Sequence, residues 1–351
     1  MKPFHLDQKL DRIVQIQGKS YYFFSGTSYL GIGQRKEYEE VLLKNIQRWG
    51  SNHGLSRANN VRLSVFLEFE EFFANQAGAA SGAVVSSGYL AGIAAWQWLY
   101  PNADQCWIAP DTHAAILPLN IKPDIQFNFT QWKKKCLELS DRLSSQRIFI
   151  LGNAVDPLKA QIHEYNWIAE IAKKHEVTLL IDDSHAFGVL GESVFGTYKK
   201  HSSPSYNLMV SGSLGKGLGM PAGIILGNEK TIEGIKSQAI FIGASPGSPA
   251  NLQTFLDTQD LHSAQFQKLK ELCRLFFDET EELSTISGVP EFPAFIYQDE
   301  TWTDRLENLG FITSSFSYPT AQSPKVNRIV ISGFHEKEDV FSLLSVIKSL
   351  H

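Results

Sequence analysis

Lys216 lies in the stretch Ser211-Gly212-Ser213-Leu214-Gly215-Lys216-Gly217-Leu218-Gly219, and upstream of it stands Asp182-Asp183-Ser184-His185. A lysine amine that loses its proton can form a Schiff base with a carbonyl. An aspartate at the end of an apolar strand can hold a pyridinium nitrogen in its charged form. These are the two groups that pyridoxal phosphate requires of a protein, one for its aldehyde and one for its ring. Each feature also has a plain reading. A lysine among glycines is ordinarily a solvated loop residue. Asp182-Asp183 fits a helix cap, and Ser87-Gly88 fits a turn. His113 and His185, taken singly, are more often structural than functional. A phosphate-binding P-loop is excluded, because Val210 stands where its first glycine belongs and Gly217 where its serine or threonine belongs.

The elements that must position these residues alternate. Near-continuous apolar runs at Gln105–Ala109, Arg147–Leu151, Val177–Ile181, Leu208–Ser211 and Gly223–Leu226 predict strands of a mostly parallel sheet covered on both faces. Ala83–Val85 predicts another. Helical spacing marks Glu39–Trp49, Tyr165–Lys174 and Ala264–Leu283. Strands alternating with helices indicate an α/β fold. Beyond about residue 235 the pattern changes to a smaller α+β region, with strands near Ala294–Tyr297 and Arg328–Ile331 and a last helix over Glu338–Leu350. Ligands of α/β sheets gather outside the carboxyl ends of the strands. Ser87-Gly88-Tyr89, Asp111-Thr112-His113, Asp182, and Ser213 with Lys216 all follow strand ends, so four ends are expected to aim polar groups at one rim.

Composition narrows the function classes. The chain has 351 residues, 43% of them hydrophobic, and a formal net charge of −5. A pI near 6.1 argues against a nucleic-acid partner, which would demand a basic face. Cys106, Cys136 and Cys273 are sparse and show no metal-binding spacing, as expected of reduced thiols in a cytoplasmic protein. The first residues lack the apolar core of a signal peptide. The uncharged stretch Gly82–Tyr100 is interrupted by Ser86, Ser87, Gly88, Gly92 and Gln97, which predicts a strand, a turn and a buried helix rather than a membrane span.

From about Tyr29 to the end, the chain resembles the α-oxoamine synthase family of fold-type-I pyridoxal phosphate enzymes. The resemblance is carried by Ser28-Tyr29-Leu30-Gly31, by the glycine-rich stretch from Trp49 to Ser56-Arg57, by Ile181-Asp182-Asp183-Ser184-His185-Ala186-Phe187-Gly188, and by Ser213-Leu214-Gly215-Lys216-Gly217. It implies a large cofactor domain over residues 49–235 and a small C-terminal domain over 236–351, with residues 1–48 packed against the small domain. It implies a homodimer, and a condensation of an amino acid with an acyl-CoA that releases CoA and carbon dioxide. Lys216 would hold the cofactor and move the substrate Cα proton, Asp182 would pair with the ring nitrogen, and His185 would bond the ring oxygen. His113 would stack on the ring. Ser87, Gly88, Tyr89 and Ser213 would bind the phosphate, and Arg328 would hold the amino acid carboxylate. An aminotransferase, or a non-catalytic subunit of the same fold, is the alternative.

The chain departs from the family in two places. Gly152-Asn153-Ala154-Val155-Asp156-Pro157 replaces a segment beginning Glu-Gly, so that Asp156 stands where the family has serine. Gly243-Ala244-Ser245-Pro246-Gly247-Ser248-Pro249 lacks the threonine with which the family reaches the neighbouring subunit's phosphate.

Overall fold

The computed structural model describes residues 4–350 apart from Asn120, Pro319 and Ala321. The chain opens with the hairpin β1 (Ile13–Ile16) and β2 (Lys19–Phe24), followed by α1 (Lys36–Trp49) and α2 (Val65–Ala77). An alternating stretch follows: β3 (Ser81–Val85), α3 (Gly88–Leu99), β4 (Gln105–Ile108), α4 (Phe129–Arg142) and β5 (Arg147–Asn153). A small hairpin, β6 (Val155–Asp156) and β7 (Gln161–Ile162), then leads to α5 (Ile168–Ala172) and β8 (Glu176–Asp182). Next come α6 (Tyr198–His201), β9 (Asn207–Ser213), β10 (Gly223–Gly227) and the helices α7 (Glu229–Lys236), α8 (Ala239–Gly243), α9 (Pro249–Asp257) and α10 (Gln259–Thr280). The C-terminal part contains β11 (Ile286–Ser287), β12 (Ala294–Tyr297), α11 (Thr301–Asn308), β13 (Phe311–Ser317), β14 (Lys325–Val330) and α12 (Lys337–Leu350).

One six-stranded sheet has the order β3-β10-β9-β8-β5-β4. Its strands β4, β5, β8 and β9 are parallel. The apolar runs are continuous because both faces are covered. Ile148, Ile150, Leu179, Ile181, Leu208 and Val210 enter one core, and Phe149, Leu151, Leu180 and Met209 enter the other. The strand at Gly223–Leu226 departs from the parallel expectation, since β10 runs antiparallel to both β9 and β3. A parallel return requires a crossover of a dozen or more residues, and the Lys216 loop between β9 and β10 is shorter than that. β3, antiparallel to β10, is thereby restored to the direction of the other four. The carboxyl ends of β3, β4, β8 and β9 therefore share one rim.

The second sheet has the order β1-β2-β13-β14-β12-β11, so the N-terminal hairpin joins the C-terminal strands through the parallel pairing of β2 with β13. The helix expected over Tyr165–Lys174 is reduced to α5. Its flanks close with tighter i→i−3 bonds, Ile168 N–H to Tyr165 O and Lys174 N–H to Ile171 O. The Tyr165 hydroxyl meanwhile is drawn away to donate to the Asn153 carbonyl at 2.8 Å. Among the described residues no helix is long and apolar enough to cross a membrane.

Candidate active site

Asp182 is the last residue of β8, and the chain turns immediately behind it. Its Oδ1 accepts the Ser184 N–H at 2.7 Å, and Oδ2 lies 3.6 Å from His113 Nδ1 in the loop after β4. The next residue has a different task. Asp183 is fully buried and accepts both the N–H and the hydroxyl of Thr197 at 2.7 Å, which holds the 183–197 loop. Burial pushes its carboxyl up to about 7.

That loop delivers His185 to Lys216. Lys216 Nζ is 2.8 Å from His185 Nε2, and His185 Nδ1 is 2.8 Å from the Tyr29 hydroxyl. Burial lowers the pKa of Lys216, an effect that Asp182 opposes and Arg328 reinforces. Burial also drives the His185 pKa well below its usual value, aided by Lys216, Arg328 and His113. The same cause lowers His113, although Asp182 pulls the other way. The result is a lysine less basic than an exposed one, beside imidazoles whose protonation burial disfavours. Tyr29 has no exposed surface, and burial raises its hydroxyl to about 12, so it keeps its proton as a neutral phenol.

Arg328 enters from β14. Its Nη1 donates to the Pro157 carbonyl at 3.1 Å, its guanidinium lies 5.2 Å from the Phe316 ring centroid, and its Nε has no partner among the described residues. Lys216, Asp182, His185, His113 and Arg328 thus line one cavity of about 780 Å³. Apolar side chains, including Leu117, Ile125, Phe127, Phe129, Leu158 and Phe316, form much of its wall.

Ser87, Gly88, Tyr89 and Ser213 are not on the wall of this cavity. Ser87 caps α3, accepting the Leu90 N–H at 3.2 Å, so the free N–H groups of a twelve-residue helix begin here. Gly88 packs so closely on Ser213 that a Cβ would meet Ser213 Cα, Cβ and N at 2.5 Å. Ser213 Oγ accepts the Gly215 N–H at 3.2 Å. Helix starts of this kind bind anions. The donor set fits pyridoxal phosphate: an amine of lowered pKa, a carboxylate, an imidazole for a ring oxygen, and a helix N-terminus for the phosphate.

Tyr29 was visible in the sequence only as part of a motif without a task. Asn153, whose Oδ1 accepts the His113 N–H at 3.1 Å, carried no signal. Nor did the pairing of Asp111 Oδ2 with His163 Nε2 at 2.7 Å, because spacing does not announce contacts between residues so far apart in the chain.

Comparison with known proteins agrees with this geometry. The profile of the family "Aminotransferase class I and II" matches residues 28–340. The 8-amino-7-oxononanoate synthase of Petrotoga mobilis is 26% identical, over 96% of this chain and 90% of the relative. That of Fervidobacterium nodosum is 25% identical, over 93% and 87%. Among solved structures, Sphingomonas wittichii serine palmitoyltransferase superposes with a TM-score of 0.83 at 18% identity, covering 99% of this chain and 91% of that one. The 8-amino-7-oxononanoate synthase of Francisella tularensis gives 0.72 at 19% identity, covering 94% and 97%. The chain belongs to the aminotransferase class I and II family, with the fold-type-I architecture of the α-oxoamine synthases.

Proposed function

We propose that this protein condenses an amino acid with an acyl thioester, releasing CoA and carbon dioxide, in the manner of 8-amino-7-oxononanoate synthase. The observation that carries the reading is the meeting of Lys216, His185, Asp182, His113 and Arg328 in a cavity whose apolar wall suits an acyl chain. Pyridoxal phosphate, when bound, supplies an aldehyde and an electron-withdrawing ring that stabilises negative charge at the substrate Cα. Asp182 would hold the ring nitrogen, His185 the ring oxygen, His113 the ring face, and the Ser87–Tyr89 turn with Ser213 the phosphate.

The remaining work belongs to the side chains. Lys216, neutral more readily than an exposed lysine, takes the Cα proton and later returns it. Arg328, on the cavity wall, would hold the amino acid carboxylate with its guanidinium. The apolar wall excludes water from the reacting carbon. We assign cofactor binding to residues 49–235 and the small domain to residues 236–351 with 1–48; the joining of β2 to β13 supports this grouping. We also infer a homodimer, which sedimentation of the loaded protein would check, an active monomer being the contrary result.

An aminotransferase is the second reading. His113 beside Asp182, together with the spacing of Asp182 and His185, favours the synthase. A retained Lys216 speaks against a non-catalytic subunit. The test is CoA thiol release by cofactor-loaded protein, over alanine, glycine and serine against short, long and pimeloyl thioesters. Release that depends on one amino acid and one thioester supports the proposal; retention of the carboxylate in the product would indicate a 2-amino-3-ketobutyrate CoA ligase. No release from any pair, with the cofactor's visible band still perturbed by amino acids, would move the assignment to transamination.

A further inference from the structure

Asn153 ends β5, beside the strand end that carries Asp182. The two residues are partners in the sheet register, and the Ala154 N–H donates to the Asp182 carbonyl at 3.0 Å. The Tyr165 hydroxyl donates to the Asn153 carbonyl at 2.8 Å. The backbone of Asn153 is thus tied to the strand that ends in Asp182. Asn153 lies within residues 152–157, where the chain departs from the resembling family.

Its side chain reaches the loop after β4. Asn153 Oδ1 accepts the His113 N–H at 3.1 Å, and Nδ2 donates to the Asp111 carbonyl at 2.6 Å, with Asp111 Oδ2 at 3.4 Å. These partners dictate the orientation of the amide, because a backbone N–H only donates and a carbonyl only accepts. One buried, planar group therefore clasps the loop on both sides of Thr112. The Thr112 hydroxyl secures the turn before it, donating to the Ala109 carbonyl at 2.7 Å. Among the described residues no other side chain bonds the His113 backbone. What the clasp holds is an imidazole: His113 Nδ1 accepts the Ala115 N–H at 3.2 Å and lies 3.6 Å from Asp182 Oδ2. His113 follows β4 and Asp182 ends β8, and β5 lies between those two strands. A group at the end of β5 is placed to fix one against the other.

We propose that Asn153 is a positioning residue: its amide, bonded to Asp111 and His113 together, holds the His113 imidazole against the face of the cofactor ring whose nitrogen Asp182 pairs with. This rests on the cofactor reading above, in which His113 meets the ring face, and does not depend on which reaction follows. Asn153 lines the cavity, but its amide oxygen and nitrogen are both engaged by the loop, so it acts through His113. Loss of the amide would leave the His113 N–H and the Asp111 carbonyl without these partners and free the loop to shift.

The test is a double-mutant cycle on the full chain, read as affinity for pyridoxal phosphate and as visible circular dichroism of the bound cofactor. Neither readout needs turnover. His113→Ala should weaken the affinity about two- to tenfold, the worth of an aromatic contact, and shrink the dichroic band. Asn153→Ala should reproduce most of both changes. Added to His113→Ala, it should change neither further, to within about twofold. Additive losses in the double variant would reduce Asn153 to a part of the general scaffold and overturn the proposal. It is also overturned if Asn153→Ala binds and reports like the parent while His113→Ala does not. If His113→Ala itself leaves both readouts unchanged, the ring-face reading fails and the positioning role falls with it. If the parent protein binds no pyridoxal phosphate, the cofactor reading fails as a whole. Should Asn153→Ala not fold, Asn153→Asp has the same shape but loses the donor to the Asp111 carbonyl, and its cycle is judged in the same way.

Discussion

Lys216 Nζ and His185 Nε2 lie 2.8 Å apart, and the Tyr29 hydroxyl, 2.8 Å from Nδ1, fixes the imidazole from its other side. If Nε2 accepts from the amine, Nδ1 carries the hydrogen and the tyrosine oxygen receives it. The orientation of the imidazole is therefore set by a residue from the N-terminal segment.

Tyr29→Phe should leave His185 Nδ1 buried without a partner. A loss of about 1–3 kcal/mol in stability is expected, with weaker retention of pyridoxal phosphate. Melting curves with and without cofactor would show it. Unchanged melting and unchanged cofactor affinity would mean that the hydroxyl orients nothing.

Lys216→Ala removes both the carbonyl partner and the proton carrier. The visible band of protein-bound cofactor should disappear, and CoA release should fall by at least about 10²–10⁴-fold, the ordinary worth of a positioned proton carrier. Substantial turnover by this variant would remove Lys216 from the mechanism.

Gly88→Ala tests the phosphate turn. Its Cβ would meet the Ser213 backbone, which has no flexible end to move aside. About 1–3 kcal/mol of destabilisation is expected. Affinity for pyridoxal phosphate should fall more than affinity for pyridoxal, which lacks the anion that this turn would bind. An equal fall for both ligands would place the phosphate elsewhere.

Stability should drop on acidification. Burial depresses His335 to about 3 and His201 to about 4. His335 Nε2 bonds the Phe23 carbonyl, and its Nδ1 accepts the Ser332 N–H. Groups whose folded pKa is depressed contribute stability that is full above the unfolded value, near 6.5, and that is lost as pH falls toward the folded one. Each contributes a slope of up to about 1.4 kcal/mol per pH unit. Asp183, raised by burial to about 7, has the opposite sign, losing stability as pH rises from about 4 to 7. Thermal melting from pH 8 to pH 4 should follow the two histidines, and His335→Gln should flatten the curve. A slope unaffected by that substitution would assign the acid transition to other groups.

Local physics made part of this protein legible from its residues alone. Continuous apolar runs read as covered strands because both faces of the large sheet are buried, as the two cores on either side of Phe149 and Ile150 show. Asp182, His113, Ser87 and Lys216 stood out because each follows such a run, and strand ends of one direction must share a rim. What involves distant chain segments was decided only by the tertiary structure. The reversal of β10 depends on a loop too short to cross over. The meeting of Asp111 with His163, and of Tyr29 with His185, depends on which loops the sheet order brings side by side. No periodicity encodes those pairings, since they arise from packing between elements rather than from spacing within one.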